Sequence, residues 1–253
     1  MSRIKDRTGE FGVSNSGERM TIIRYGNVHD IDVQFDDGTI LQHKQYSNFK
    51  VGNIRNPMFP IVYGVGFMGV GDYKSCDANG KITKCYDTWN SMYTRCYSSK
   101  CHEKFPTYKG CTVCKEWHNH QVYAKWHYEN YYEVGNEKMT LDKDILKKGN
   151  KVYSPETCVF VPQSINNLFT KRNNERGDCP IGVNKHKDKF EAKLSKGNGN
   201  QVYLGIYPTV EEAFLAYKIA KEAYIKEVAE EYKDKIPYRL YEALMNYEVE
   251  IDD

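Results

Sequence analysis

The chain has 253 residues, a formal net charge of +2, 40% hydrophobic residues and 21 tyrosines. That apolar content supports folded cores and excludes a disordered chain, while a charge so close to zero means that nucleic-acid binding must be argued from local clusters. No apolar run reaches the ~20 residues of a membrane helix, and the polar start from Met1 to Glu10 lacks a secretory pattern, so the 8 cysteines are read as thiols of a reducing, cytoplasmic setting.

Residues 1–58 read as a small, bent β-barrel-like module. Met20-Thr21-Ile22-Ile23, Asp30 to Phe35 and Thr39-Ile40-Leu41 are strand-like runs, and Asp36-Asp37-Gly38 is a hairpin signal. Arg3, Lys5, Arg7 and Arg24 make it basic; a solvated interaction module and a DNA contact are the two readings of that charge. Gly64-Val65-Gly66-Phe67-Met68-Gly69 spells a dinucleotide fingerprint, but no helix pattern opens after it, so a connector is expected and no nucleotide cofactor.

A helix is predicted from about Asp87, its N-cap, with Trp89, Met92, Tyr93 and Cys96 on one face. A loop over Ser98 to Gly110 follows, then a second helix carrying Trp117, Val122, Tyr123 and Trp126. Within Met139 to about Arg172, Thr140 to Ile145, Tyr153 to Cys158 and Ile165 to Leu168 read as strand, turn, strand, helix, and 171–178 as a polar linker. Three short strands follow, Ile181 to Val183, Phe190 to Leu194 and Val202 to Ile206. A long helix then opens on a capping box with Thr209 at N-cap and Glu212 at N3, its face made by Ala213, Tyr217, Ala220 and Tyr224. It stops before Pro237, and a last helix runs from Tyr238 to Tyr247. The fold class expected is α+β.

The strand–turn–strand–helix segment carries the chemistry. One-metal phosphodiester hydrolysis needs hard oxygen ligands, a base for water and a group that holds the base. Asp142 is the candidate strand ligand and Asn166 the helix ligand, beside Asn167. Lys143 stands where a base is wanted; lysine holds its proton well above neutral pH unless burial intervenes. Asp144, which alternation would turn to the same side as Asp142, is the other candidate base or a second ligand. A surface hairpin of mixed charge is the competing reading of the same residues.

From Asp87 to Asn174 the chain resembles the phage-type HNH endonucleases, members of the His-Me finger nucleases. The matching residues are Trp89, Met92, Arg95-Cys96-Tyr97, Tyr108 to Cys114, Trp117, Trp126, Leu141-Asp142-Lys143-Asp144 and Tyr153 to Cys158. The resemblance implies a metal-dependent DNA endonuclease, working with Mg²⁺ or Mn²⁺ held by Asp142 and Asn166. It also implies a catalytic histidine at the position of Lys143 and an asparagine, which positions it, at the position of Thr157. Both departures fall on the catalytic step. A catalytically degenerate finger, binding DNA or a protein of the host machinery, is therefore the alternative, and RNA cleavage is a third.

Residues 181 to about 230 resemble the Apetala-type DNA-binding domain, on Gly182-Val183, Phe190-Glu191-Ala192, Tyr203 to Tyr207 and Glu211 to Tyr217. The resemblance implies a three-stranded sheet in the major groove of double-stranded DNA, with a helix behind it. Lys185, Lys187, Lys189, Lys193 and Lys196 crowd these strands, led by Lys171, Arg172 and Arg176. Such clusters contact phosphate and give salt-dependent affinity. Cys111-Thr112-Val113-Cys114 is a CxxC; with Cys96 and Cys158 it offers four thiols to a structural zinc, against the plainer reading of buried thiols. The expected organisation is thus a β module at 1–58, an HNH-like domain at 59–172 and an Apetala-type domain with a C-terminal helix at 173–253, acting in the cytoplasm of a phage-infected bacterium.

Overall fold

Alternating apolar residues build the first sheet. β1 (Phe11–Val13), β2 (Arg19–Asn27), β3 (Asp30–Phe35) and β4 (Ile40–Lys44) form an antiparallel meander in chain order. Met20, Ile22, Ile31, Val33 and Phe35 pack their inner face against Ile54 and against Phe49 of α1 (Tyr46–Lys50). The Asp36-Asp37-Gly38 turn closes β3 onto β4: Gly38 takes a left-handed φ of 89°, and Asp37 Oδ1 accepts the Thr39 N–H at 2.8 Å. β3 departs from simple alternation at Asp32, buried because the Arg24 guanidinium grips both its oxygens at 2.6 and 2.8 Å. The computed structural model describes residues 5–170, 179–197 and 200–251. Among them the architecture is α+β, with seven α-helices and sheets of four, three, two and two strands. None of these helices is long and apolar enough to cross a membrane.

The chain divides into two compact units, Met1–Lys109 with Val113–Trp126 and Gly110–Thr112 with His127–Asp253. In the first, the glycine-rich connector folds as bridged turns without a helix, and Gly66 packs on α2 (Lys84–Tyr97) so closely that a Cβ would lie 2.8 Å from the Tyr93 ring. The helix expected from Asp87 begins one turn earlier. Thr83 is the cap, accepting the Tyr86 N–H, and Asp87 lies in the first turn, where the helix dipole favours a carboxylate. Its buried face is the expected one with Cys85 added.

The expected loop after Ser98 contains α3 (Ser99–Lys104), capped by the Ser98 hydroxyl, and a 3₁₀ turn over Pro106–Tyr108. β5 (Thr112–Val113) follows. Trp117 sits in a 3₁₀ turn ahead of α4 (His120–Asn130) rather than in the helix, and its carbonyl accepts the Trp89 indole N–H at 2.8 Å.

In the second unit β6 (Met139–Asp142) leads to β7 (Val152–Tyr153) and β8 (Val159–Pro162). β6 pairs antiparallel with β8, Leu141 opposite Phe160 and Asp142 opposite Val159, and α5 (Gln163–Asn167) packs on both strands. The second strand expected over Tyr153 to Cys158 is instead β7 followed by a turn, and the strand paired with β6 is β8, so the strand–strand–helix arrangement here is β6, β8 and α5. β9 (Val183–His186), β10 (Lys189–Ser195) and β11 (Gln201–Tyr207) form an antiparallel sheet with β10 in the centre. α6 (Val210–Tyr232) backs it, with Thr209 Oγ1 accepting the Glu212 N–H at 3.2 Å, and α7 (Tyr238–Met245) closes two residues earlier than expected.

α6 serves two cores. Its first half places Ala213, Phe214 and Tyr217 under the sheet with Val183, Ala192 and Leu194. Its second half places Ile225, Val228 and Ala229 against Val159, Val161 and Ile165 of the finger and Leu240 and Leu244 of α7. Arg239 of α7 also donates to the carbonyls of Pro155 and Cys158 at 3.3 and 2.6 Å, tying the loop between β7 and β8 to that helix.

Candidate nucleic-acid interface

Strand alternation sorts the residues of the C-terminal sheet. Phe190, Ala192 and Leu194 of β10, with Val202 and Leu204 of β11, turn inward to α6. Lys189, Glu191 and Lys193 turn outward, and the register places Tyr203 opposite Lys193 and Ile206 opposite Glu191. Tyr203 is 58% exposed and Ile206 40% exposed, so apolar surface lies open between cations. Glu191 is the carboxylate among these, and the Lys193 ammonium pairs with it at 2.7 Å.

The lysine cluster read from the sequence is divided by the fold. Lys189 and Lys193 belong to the outer face, and Lys187 forms the exposed tip between β9 and β10, with φ 56°. Lys185 is exposed but stands opposite the inward Phe190, at the sheet edge. Lys196 turns back onto α6, pairing with Glu227 at 3.0 Å over the Tyr224 ring. Lys171, Arg172 and Arg176 lie outside the described residues.

In the finger the charged residues engage one another and the backbone. β6 ends at Asp142, and the chain turns immediately, so strand alternation does not carry to Asp144. Asp142 Oδ1 accepts the N–H groups of Asp144 and Ile145 at 2.9 and 2.7 Å, which commits that oxygen to the turn. Burial, with the Asp144 charge beside it, raises the Asp142 carboxyl above its ordinary range, against those two hydrogen bonds.

Lys143 is buried at 6% exposure, and its Nζ donates to the Asn150 carbonyl at 3.0 Å and pairs with Asp144 at 3.2 Å. The Asn150 side chain answers by donating to the carbonyls of Lys143 and Val152, both at 2.7 Å. A general base must offer a lone pair to water; this amine gives its protons to a carbonyl and a carboxylate. Thr157 is occupied within its own turn, with its hydroxyl donating to the Val152 carbonyl at 2.7 Å and lying 3.0 Å from Ser154 Oγ. Asn166 is half-buried on α5.

Mg²⁺ or Mn²⁺ would ask this loop for several free oxygens. One Asp142 oxygen is engaged by two N–H groups, Asp144 faces an ammonium, and no third His, Cys, Asp or Glu gathers with them among the described residues. Lys143 supplies local positive charge itself, and of the expected pair the second Asp142 oxygen and the Asn166 amide are what remains to offer a divalent ion.

The one described cluster of metal-ligand type is Asp30, Asp32 and His43, and there Arg24 already bridges both carboxylates. Its guanidinium holds the Asp30 carboxyl well below the usual range. Among the described residues the cysteines belong to no such cluster: Cys96, Cys111 and Cys158 are buried thiols and Cys114 is a half-buried one, with burial raising the Cys111 thiol.

Asn150 and Lys221 were missed in the sequence. Gly149-Asn150 is a recognisable turn pair, but its grip on Lys143 is not written in any spacing. Lys221 falls at helical spacing between Tyr217 and Ile225, both buried, and that periodicity could have found it. Compared with known families, curated proteins and solved structures, the chain matches none of them.

Proposed function

We propose that this protein binds double-stranded DNA through the outer face of β9–β11, and that its finger is a catalytically degenerate HNH-like element serving as scaffold. The observation that carries the reading is the open sheet face, where Lys189 and Lys193 flank exposed Tyr203 and Ile206 while α6 backs the opposite side. A twisted antiparallel sheet is of a size to enter the major groove, and lysines at its rim reach phosphate. The scaffold reading of the finger rests on Lys143, Asn150 and Asp144, whose mutual contacts occupy the groups that hydrolysis needs.

The test is affinity for duplex DNA across a salt series. Lys187→Gln/Lys189→Gln/Lys193→Gln is expected to weaken binding and to lower the slope of log K against log salt by roughly 0.9 for each phosphate that the variant no longer neutralises. An unchanged slope would remove the sheet from the interface.

The second reading, a metal-dependent nickase, is favoured by one observation: Asp142 and Asn166 do lie on the strand and helix of a single finger. Wild-type protein is expected to leave supercoiled plasmid intact with Mg²⁺ or Mn²⁺. Nicking that disappears in a folded Asn166→Ala variant would overturn the scaffold reading in favour of the enzyme.

A further inference from the structure

The first unit holds a groove of about 370 Å³ lined by Ser91, Thr94, Arg95, Cys101, Phe105 and Tyr108. That volume lies in the range of small-molecule clefts. One wall is a single helical face: Ser91, Thr94 and Arg95 stand at i, i+3 and i+4 on α2, away from its buried residues Trp89, Met92, Tyr93 and Cys96. The other wall is α3 and the 3₁₀ turn that follows it, which bring Cys101, Phe105 and Tyr108 to the groove. The walls are tied together. A ring nitrogen of His102 on α3 lies 2.9 Å from the Arg95 carbonyl on α2. Within the α2 wall, Thr94 Oγ1 donates to the Asn90 carbonyl at 3.0 Å and accepts from the Tyr63 hydroxyl at 3.2 Å.

The lining combines two chemistries. Phe105 and Tyr108 present rings 6.4 Å apart at 75°, an edge-to-face aromatic pair. Phe105 is 48% exposed. Beside the rings stand the Arg95 guanidinium, 5.8 Å from the Tyr108 ring centre, and the Lys104 ammonium, 5.3 Å from that of Phe105. No carboxylate is among the lining residues. Aromatic rings beside a guanidinium and the Ser91 hydroxyl suit a planar heteroaromatic ring that carries an anion.

We propose that this groove binds a nucleotide, its base stacked on Phe105 and its phosphate on Arg95 with the Ser91 hydroxyl. The chemistry is shared by a free mononucleotide and by an unpaired base in a strand. The site is independent of the C-terminal sheet and assigns the first unit a ligand of its own.

Calorimetric titration of the full chain with deoxyadenosine monophosphate, and separately with a single-stranded pentanucleotide, tests it. Binding is expected to fall at least tenfold in Phe105→Ala and in Arg95→Gln. Tighter binding of the pentanucleotide assigns the groove to an unpaired base, and binding of the mononucleotide alone assigns it to a free nucleotide. The proposal is overturned if neither ligand binds at millimolar concentration, or if Phe105→Ala, a change at an exposed side chain, binds like wild type. Loss of duplex binding with retained pentanucleotide binding would count against the sheet and leave the groove standing.

Discussion

Two lysines in the second unit are buried, and they behave differently because their surroundings differ: one lies among polar partners, the other in an apolar cleft. Lys143 has its hydrogen bonds: the Asn150 carbonyl and the Asp144 carboxylate, with the Tyr153 ring 5.9 Å away. Its removal strands a carbonyl and loosens the turn, so Lys143→Ala is expected to destabilise the fold by about 2 kcal/mol, read from the midpoint of chemical unfolding. A dispensable surface lysine would leave that midpoint in place.

Lys221 is 8% exposed in a small cleft among Leu168, Phe169, Ile181, Tyr217, Tyr247 and Val249, and burial lowers its amine to about 8. The unfolded chain therefore binds more protons than the folded one between about pH 8 and the ordinary lysine value, and stability rises with pH across that window. Below about pH 8 the whole penalty is present, on the order of 3 kcal/mol. Lys221→Met is expected to be more stable than wild type at pH 7 by about 1–3 kcal/mol. The difference should shrink by about pH 10. Equal midpoints for the two proteins at pH 7 would contradict this account.

At the scale of elements, the packing of β9 on α6 depends on one glycine. Gly182 has a φ of 77°, and a Cβ there would fall 2.0 Å from the Tyr217 ring, whose position is set by the helix backbone. Gly182→Ala combines backbone strain with a steric conflict inside the core, a cost of about 3 kcal/mol. The measurement is thermal unfolding, and a Tm within a degree of wild type would refute it. Element boundaries followed local capping chemistry where the cap was unambiguous, as at Thr209. They moved where two cappers competed: Thr83 lies one turn ahead of Asp87, and the apolar stripe extends back to Cys85. The helix inside the expected loop, α3, has six residues and no buried one, so periodicity left no trace of it.

In the second unit as a whole, α6 makes a single body of finger and sheet. The residues under the sheet and those against the finger lie on successive turns of one helix, and Tyr224 and Tyr247 touch both cores. The linker reading between the two segments described a change in composition; the packing across it depends on side chains of α6 and α7, far along the chain. A finger held this way keeps a constant offset from the outer face of the sheet, which suits a scaffold as well as it suits an enzyme.

The sequence by itself determined much of the local structure: the β meander and its Asp-Gly turn, the first strand and the helix of the finger, the capped long helix and the α+β class. Each of these is written in periodicity and turn chemistry over a few neighbouring residues. Tertiary structure alone decided what the finger's charged residues do, because a hydrogen bond from Lys143 to the Asn150 carbonyl depends on how a turn closes rather than on spacing. It likewise decided which lysines face outward, since the direction of Lys196 is set by Glu227 and Tyr224 on a helix 28 to 31 residues away.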